Sequence, residues 1–264
     1  MIDIGVNLTN ARFDKDRLAV VERAKRANIS AMLVTGTSVN ESERAISLCQ
    51  QHPNFLYATA GVHPHDADNV TSDYLKTLAH FAEQPCVKAI GECGLDFNRN
   101  FSTSENQQRV FNEQVALAHD VQLPLFLHQR DAFEPWFNIL KPYFGRVPAL
   151  IAHCFTGNKI ELQQCLDAGM YIGITGWVCD ERRGQALREI VPLIPLEQLM
   201  IETDAPYLTP RTIRPKPKSS RNEPSYLTYV VAMLAELIGC SEQELITQTR
   251  RNSESVFKIR AEHG

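Results

Sequence analysis

Short apolar runs recur along the chain, and nearly every one ends on a glycine or on a residue that can do chemistry. Over residues 2–6, 31–35, 55–60, 124–127, 149–152, 171–175 and 199–201 the runs are too short for a buried helix and too apolar for a loop. They read as buried strands. A further run, Cys86-Val-Lys-Ala-Ile, leads into Gly91-Glu92-Cys93-Gly94. Between the strands the spacing turns helical: over residues 14–27 through Leu18, Val21 and Ala24, over 41–51 up to Pro53, and over 74–82. A long helix opens on a capping box of Ser104 with Gln107 and carries Val110, Phe111, Val115 and Ala118 at helical intervals. Asn158 with Glu161 caps another. Beyond the last strand, helices are expected from about Ser225, from Ser241 with Glu244 as its box partner, and from Asn252.

Strands that alternate with helices and are themselves unbroken apolar runs pair in parallel, through right-handed crossovers. A (β/α)₈ TIM barrel is the simplest closure for a chain of 264 residues. The strand ends at Asp3, Gly36, His63, Glu92, His128, His153, Gly176 and Asp204 lie roughly one βα unit apart, so a barrel brings all of them to one mouth. A doubly wound open sheet is the competitor. It would ordinarily carry a glycine-rich phosphate loop after its first strand, and Gly5-Val6-Asn7 is not one. No shift in composition marks a linker, so residues 1–264 are expected to form a single domain.

Glu92 is the residue that makes this mouth a site. A carboxylate at the end of a buried strand costs several kcal/mol unless a cation or hydrogen bonds compensate it. Gly91 and Gly94 clear side chains from both sides, for a sharp turn or for the close approach of a ligand. His128, His153, Glu92 and Asp204 together offer the imidazoles and carboxylates that a divalent cation takes. Such a cation lowers the pKa of bound water and polarises a carbonyl or phosphoryl oxygen. Asp204 is the candidate base for the water's proton; the competing role for it is to orient a histidine ligand. Mixed donors of this kind accept Mg²⁺, Mn²⁺ or Zn²⁺. His52, His80, His119 and His263 fall in helices, loops or the tail and read as surface residues.

Charge narrows the partners. A net charge of −4 argues against a protein that coats nucleic acid generally, so any contact with a polyanion must be local. One stretch suits it: Arg211, Arg214, Lys216, Lys218 and Arg221 follow the eighth strand with prolines at 215 and 217 and no acidic residue among them. At the rim of the mouth these cations would steer and hold phosphates, with Arg130, two residues past His128, as a further clamp. The bland alternative is a solvated spacer. Seven cysteines without a CxxC pair suit a reducing compartment better than a disulfide framework. The N-terminus has no basic leader with a long apolar segment, and no run reaches membrane-spanning length, so a cytoplasmic, membrane-free protein is expected.

Several motifs in order resemble the TatD-type metal-dependent deoxyribonucleases, within the amidohydrolase-like barrels. They are Gly-Val-His-Pro-His at 61–65, Gly-Glu-Cys-Gly-Leu-Asp at 91–96, Pro-Leu-Phe-Leu-His-Gln-Arg-Asp-Ala at 124–132, His-Cys-Phe-Thr-Gly at 153–157, Glu-Thr-Asp-Ala-Pro at 202–206 and Arg-Asn-Glu-Pro at 221–224. The resemblance implies a cytoplasmic nuclease, expected to be monomeric, that degrades single-stranded DNA and also RNA from the 3′ end with Mg²⁺ or a similar ion, and that clears damaged DNA. It implies Glu92, His128 and His153 as metal ligands and Asp204 as the catalytic aspartate; His63, at the end of the third strand, is a candidate substrate contact. There is one departure: many relatives carry Asp-x-His-x-His on the first strand, whereas Asp3-Ile4-Gly5-Val6-Asn7 keeps only the aspartate. A second ion would then fall to Asp3, Asp204, a share of Glu92, and the Asn7 amide or His63. Two other readings stand beside the nuclease, a hydrolase of small amides or esters and a nucleic-acid-binding barrel without catalysis. The basic stretch favours a polyanionic substrate over a small neutral one.

Overall fold

The computed structural model describes residues 1–259. Eight parallel strands follow one another around the sheet in sequence order: β1 (Ile2–Val6), β2 (Ala31–Val34), β3 (Leu56–Ala60), β4 (Val87–Asp96), β5 (Leu125–Arg130), β6 (Leu150–Ala152), β7 (Tyr171–Ile174) and β8 (Leu199–Ile201). The helices α1 (Arg17–Arg26), α2 (Val39–Gln51), α3 (Tyr74–Ala82), α4 (Ser104–Val121), α5 (Phe133–Leu140), α6 (Lys159–Asp167), α7 (Gln185–Ile190), α8 (Leu227–Ile238) and α9 (Glu242–Phe257) alternate with them and complete the outer layer. The ring closes between β8 and β1. Asn7 N–H donates to Ala205 O and Asp204 N–H to Gly5 O, each at 2.8 Å. Asp3 reinforces the seam, accepting from the Thr203 N–H at 2.9 Å and the Thr203 hydroxyl at 2.6 Å.

Two apolar clusters follow from the alternation of side chains along the strands. Ile2, Ile4, Leu33, Ala89, Phe126, Ile151 and Met200 fill the barrel interior, and Val256, Phe257 and Ile259 at the end of α9 join them from below. The larger cluster lies between the strands and the helices. Two irregularities break the alternation where it matters. The β1–β2 register shifts between Asp3 and Val6 and the β4–β5 register between Ile90 and Cys93. Bulges of this kind re-aim side chains, here at Gly5 and at Glu92.

Gly91 and Gly94 have positive φ, and the reason differs from the one expected. A side chain at Gly91 would run into Phe126 O, and one at Gly94 into His128 O. It is β5 that approaches them on the side a Cβ would take.

Three local expectations change as well. The cap of α4 is Thr103, whose hydroxyl accepts from the Asn106 N–H, and Gln107 is buried instead of closing a box. No helix begins at Asn252, because α9 runs on through it and its amide reaches inward to Leu196 O and Leu199 O. The short helices α5 and α7 carry too few periodic positions to be read from spacing. The capping box of Asn158 with Glu161 is present as expected.

Candidate metal and phosphate site

The ends of β3, β4, β5, β6 and β8 meet over a cleft of about 1520 Å³ whose wall includes His63, Glu92, Asp96, His128, His153 and Asp204. Glu92 is at its centre. Its Oε1 lies 3.0 Å from Nδ1 of His128, 3.4 Å from Nε2 of His63 and 3.6 Å from Nε2 of His153. Burial pushes the Glu92 carboxyl up, but the surrounding imidazoles, His63 and His153 foremost, hold it well below the usual carboxylate range. Glu92 is thus an anion at neutral pH, in contact with three rings.

The rings differ in their other contacts. His153 Nδ1 lies 2.6 Å from Glu202 Oε2, while Glu202 Oε1 accepts from the Cys154 N–H at 2.6 Å. With Nδ1 committed to a carboxylate, Nε2 is the atom His153 presents to the cleft. Burial lowers the His153 pKa, and Glu202 and Glu92 overcome it, raising the ring to about 10. His128 Nε2 lies 3.6 Å from Asp96 Oδ2 and is buried without a hydrogen bond among the described residues. His63 and His65 share one turn, and His65 Nε2 contacts Asp96 Oδ2 at 2.7 Å.

A divalent ion fits this arrangement. The buried Nε2 of His128 has no hydrogen-bond partner among the described residues, and with Nε2 of His153 and the ionised Glu92 oxygen, 3.6 Å apart, it makes a set of imidazole and carboxylate groups of the kind a divalent ion takes. Ligand atoms of His63, Glu92 and His128 lie within 4.8 Å of one another, and so do those of His153, Cys154 and Asp204. Asp204 adjoins the carboxylate cluster without touching Glu92 through a hydrogen bond. Its Oδ1 accepts from the Asn7 amide at 2.9 Å. Burial raises its pKa to about 7, with His153 opposing, which is where a general base for neutral pH belongs.

On the first strand, the two groups expected near a second ion are engaged by protein partners. Asp3 is buried with both carboxylate oxygens engaged by Thr203 and Gly5, and burial pushes it up to about 7. The Asn7 amide is turned to Asp204.

The basic stretch lies apart from the described cleft wall. Of the cations expected to hold phosphates, Arg130 lines the cleft, and Arg211, Arg214, Lys216, Lys218 and Arg221 are not part of its described wall. Arg221 pairs with Asp16 at 2.6 and 2.8 Å and lies over the Phe13 ring. Arg211 pairs with Glu181 at 3.0 Å. Arg214 donates to Arg211 O and Ile213 O, and Lys216 and Lys218 are exposed. Ion pairing with Glu181 and Asp16 engages Arg211 and Arg221. The arginines that do line the cleft beside Arg130 are Arg44, Arg99 and Arg183.

Spacing held a signal for two residues that sequence reasoning left without a role. Asp96 shares β4 with Glu92, four residues on, and Glu202 stands two before Asp204. Gln107 supports Asp96 from α4, accepting from its N–H at 2.9 Å and donating to its carbonyl at 3.2 Å. Of the remaining histidines, His52, His80 and His119 are not in the described cleft wall, and His263 lies outside the described residues.

The parallel eight-stranded barrel, with histidines and carboxylates at the carboxyl ends of its strands, has the architecture and donor set of the metal-dependent hydrolases. The sequence profile of the TatD related DNases matches residues 2–258, and the chain belongs to that family. Curated relatives named 3′-5′ ssDNA/RNA exonuclease TatD, from Erwinia amylovora and Erwinia tasmaniensis, are 54% and 52% identical over 98% of this chain and 100% of their own. Among solved structures, a hydrolase TatD family protein from Entamoeba histolytica superposes with a TM-score of 0.89 at 28% identity, covering 98% of each chain.

Proposed function

We propose that this chain is a Mg²⁺-dependent 3′–5′ exonuclease of single-stranded DNA and RNA, acting as a monomer in the cytoplasm in the clearing of damaged DNA. The observation that carries the reading is the Glu92 oxygen with three imidazoles around it, beside a carboxylate whose pKa is near neutrality. The printed names of the curated relatives support the substrate and the polarity. Mixed imidazole and carboxylate donors accept Mg²⁺, which is commonly held by few protein ligands together with substrate phosphates.

Glu92, His128 and His153 would hold the ion. When bound, it supplies charge that polarises the scissile phosphate and favours ionisation of the attacking water. Asp204 takes the water's proton, and the Asn7 amide holds one of its oxygens in place. Glu202 sets the tautomer of His153. Arg130 offers its guanidinium to the phosphate backbone from the end of β5. Trp177 and Tyr207 in the same wall give bases an aromatic surface for stacking.

Purified protein incubated with end-labelled single- and double-stranded oligonucleotides, with Mg²⁺ and with chelator, tests the reading. Stepwise shortening of single strands from the 3′ end, abolished by chelator, is the expected result. Cleavage of small amides or esters without any of oligonucleotides would replace it.

A further inference from the structure

The His63 ring is fixed by its own backbone. His63 caps the 3₁₀ turn Pro64–Asn69, in which Pro64 has no N–H, so the first N–H available to the cap is that of His65. It lies 3.1 Å from Nδ1 of His63. A backbone N–H can only donate, so Nδ1 offers its lone pair and carries no proton. An imidazolium is excluded by the same contact. The ring's one proton is then on Nε2, the atom 3.4 Å from Glu92 Oε1 at the wall of the cleft.

This makes His63 the opposite of its neighbour His153. Glu202 draws the proton of His153 to Nδ1 and leaves Nε2 with a lone pair for an ion. For His63 to ligate through Nε2, the proton would have to move to Nδ1, where it would face the His65 N–H and break the cap. Proximity alone groups His63 with Glu92 and His128 as potential ligands, within 4.8 Å of one another. The tautomer separates it from them.

We propose that His63 is a catalytic residue that binds the scissile phosphate, its Nε2–H donating to a non-bridging oxygen, and that it is not a metal ligand. The proposal rests on the nuclease reading of the site. A donor held this close to Glu92 stands beside whatever ion Glu92 binds, where negative charge builds up on the phosphate oxygens in the transition state. One such donor is worth on the order of 10²-fold in kcat.

Two substitutions divide the ring's functions. In His63→Asn the side-chain oxygen replaces Nδ1 and can still accept from the His65 N–H, but nothing replaces Nε2–H. In His63→Gln an amide N–H reaches the place of Nε2. Mn²⁺ titration of the substrate-free proteins, thermal unfolding, and kcat on a single-stranded oligonucleotide are measured for both. We expect His63→Asn to bind Mn²⁺ with wild-type stoichiometry and affinity while kcat falls on the order of 10²-fold, and His63→Gln to recover part of the loss. Loss of an ion, or weakening of its binding to the degree found for a His128→Asn control measured alongside, would overturn the proposal, as would an unchanged kcat in His63→Asn. If His63→Asn does not fold, His63→Gln decides alone: wild-type Mn²⁺ binding supports the donor, and lost binding overturns it. A wild-type protein that cleaves no oligonucleotide would instead sink the nuclease reading, and the Mn²⁺ titration would still tell ligand from donor.

Discussion

Gly5 lies against the carboxylate of Glu202: a side chain at position 5 would run into Oε2, the oxygen that is 2.6 Å from His153 Nδ1. Gly173 bounds the same carboxylate from β7, on the Oε1 side. The first strand thus lacks a histidine at position 5 where Glu202 already occupies the space. Instead of adding a ligand of its own, β1 makes room for the group that orients one.

Glu202→Gln should weaken metal binding by about 10–100-fold, because a neutral amide neither favours the His153 tautomer as strongly nor raises the basicity of Nε2. Gly5→Ala should act in the same direction by displacing the carboxylate. Equilibrium titration of Mn²⁺ or Mg²⁺ reads both, and an affinity equal to wild type in Glu202→Gln would refute the orienting role.

Metal uptake should release a proton from His153. Its pKa, raised to about 10 by Glu202 and Glu92, leaves the ring protonated at neutral pH in the absence of an ion, and a ligand must be deprotonated. Affinity should therefore climb about tenfold per pH unit below that value and level off above it. Calorimetry in buffers of different ionisation enthalpy gives the proton count directly; a count near zero at pH 7 would mean that His153 is neutral before the ion arrives.

Asp204→Asn should lower kcat by about 10²-fold or more with little change in KM, since a proton acceptor is needed mainly in the transition state. The Asn7 amide would then face an amide in place of a carboxylate, so thermal stability is measured alongside. Turnover within tenfold of wild type would make Asp204 an orienting residue.

Arg130→Ala should raise KM even for a trinucleotide and take roughly 0.7 from the log–log salt slope, the contribution of one phosphate contact on a single strand. The double variant Lys216→Ala/Lys218→Ala should leave the trinucleotide unaffected, because these side chains are not part of the described cleft wall. Comparable effects of the two variants on the short substrate would show that the basic stretch folds over the cleft.

The barrel and the residues at its mouth were legible in the sequence because both depend on local pattern. Apolar runs such as residues 149–152 and 199–201 fall at one βα period, and each run delivers a polar residue at its end, so His128, His153, Glu92 and Asp204 arrive together however the rest of the chain packs. Local pattern also foretold the Asn158 cap, whose partner is three residues away.

What only the tertiary structure decided is what each side chain touches. His153 and Glu202 are 49 residues apart in the chain, and Arg221 and Asp16 are 205 apart, yet the first pair orients an imidazole and the second ties an arginine of the basic stretch to the first helix's N-terminal side. Bulges at Gly5 and Glu92 change which face a residue presents, and periodicity cannot register an inserted residue until the partner strand is known. A proton's position on an imidazole and the direction of a guanidinium are settled over one hydrogen-bond length, by neighbours that the linear order keeps apart.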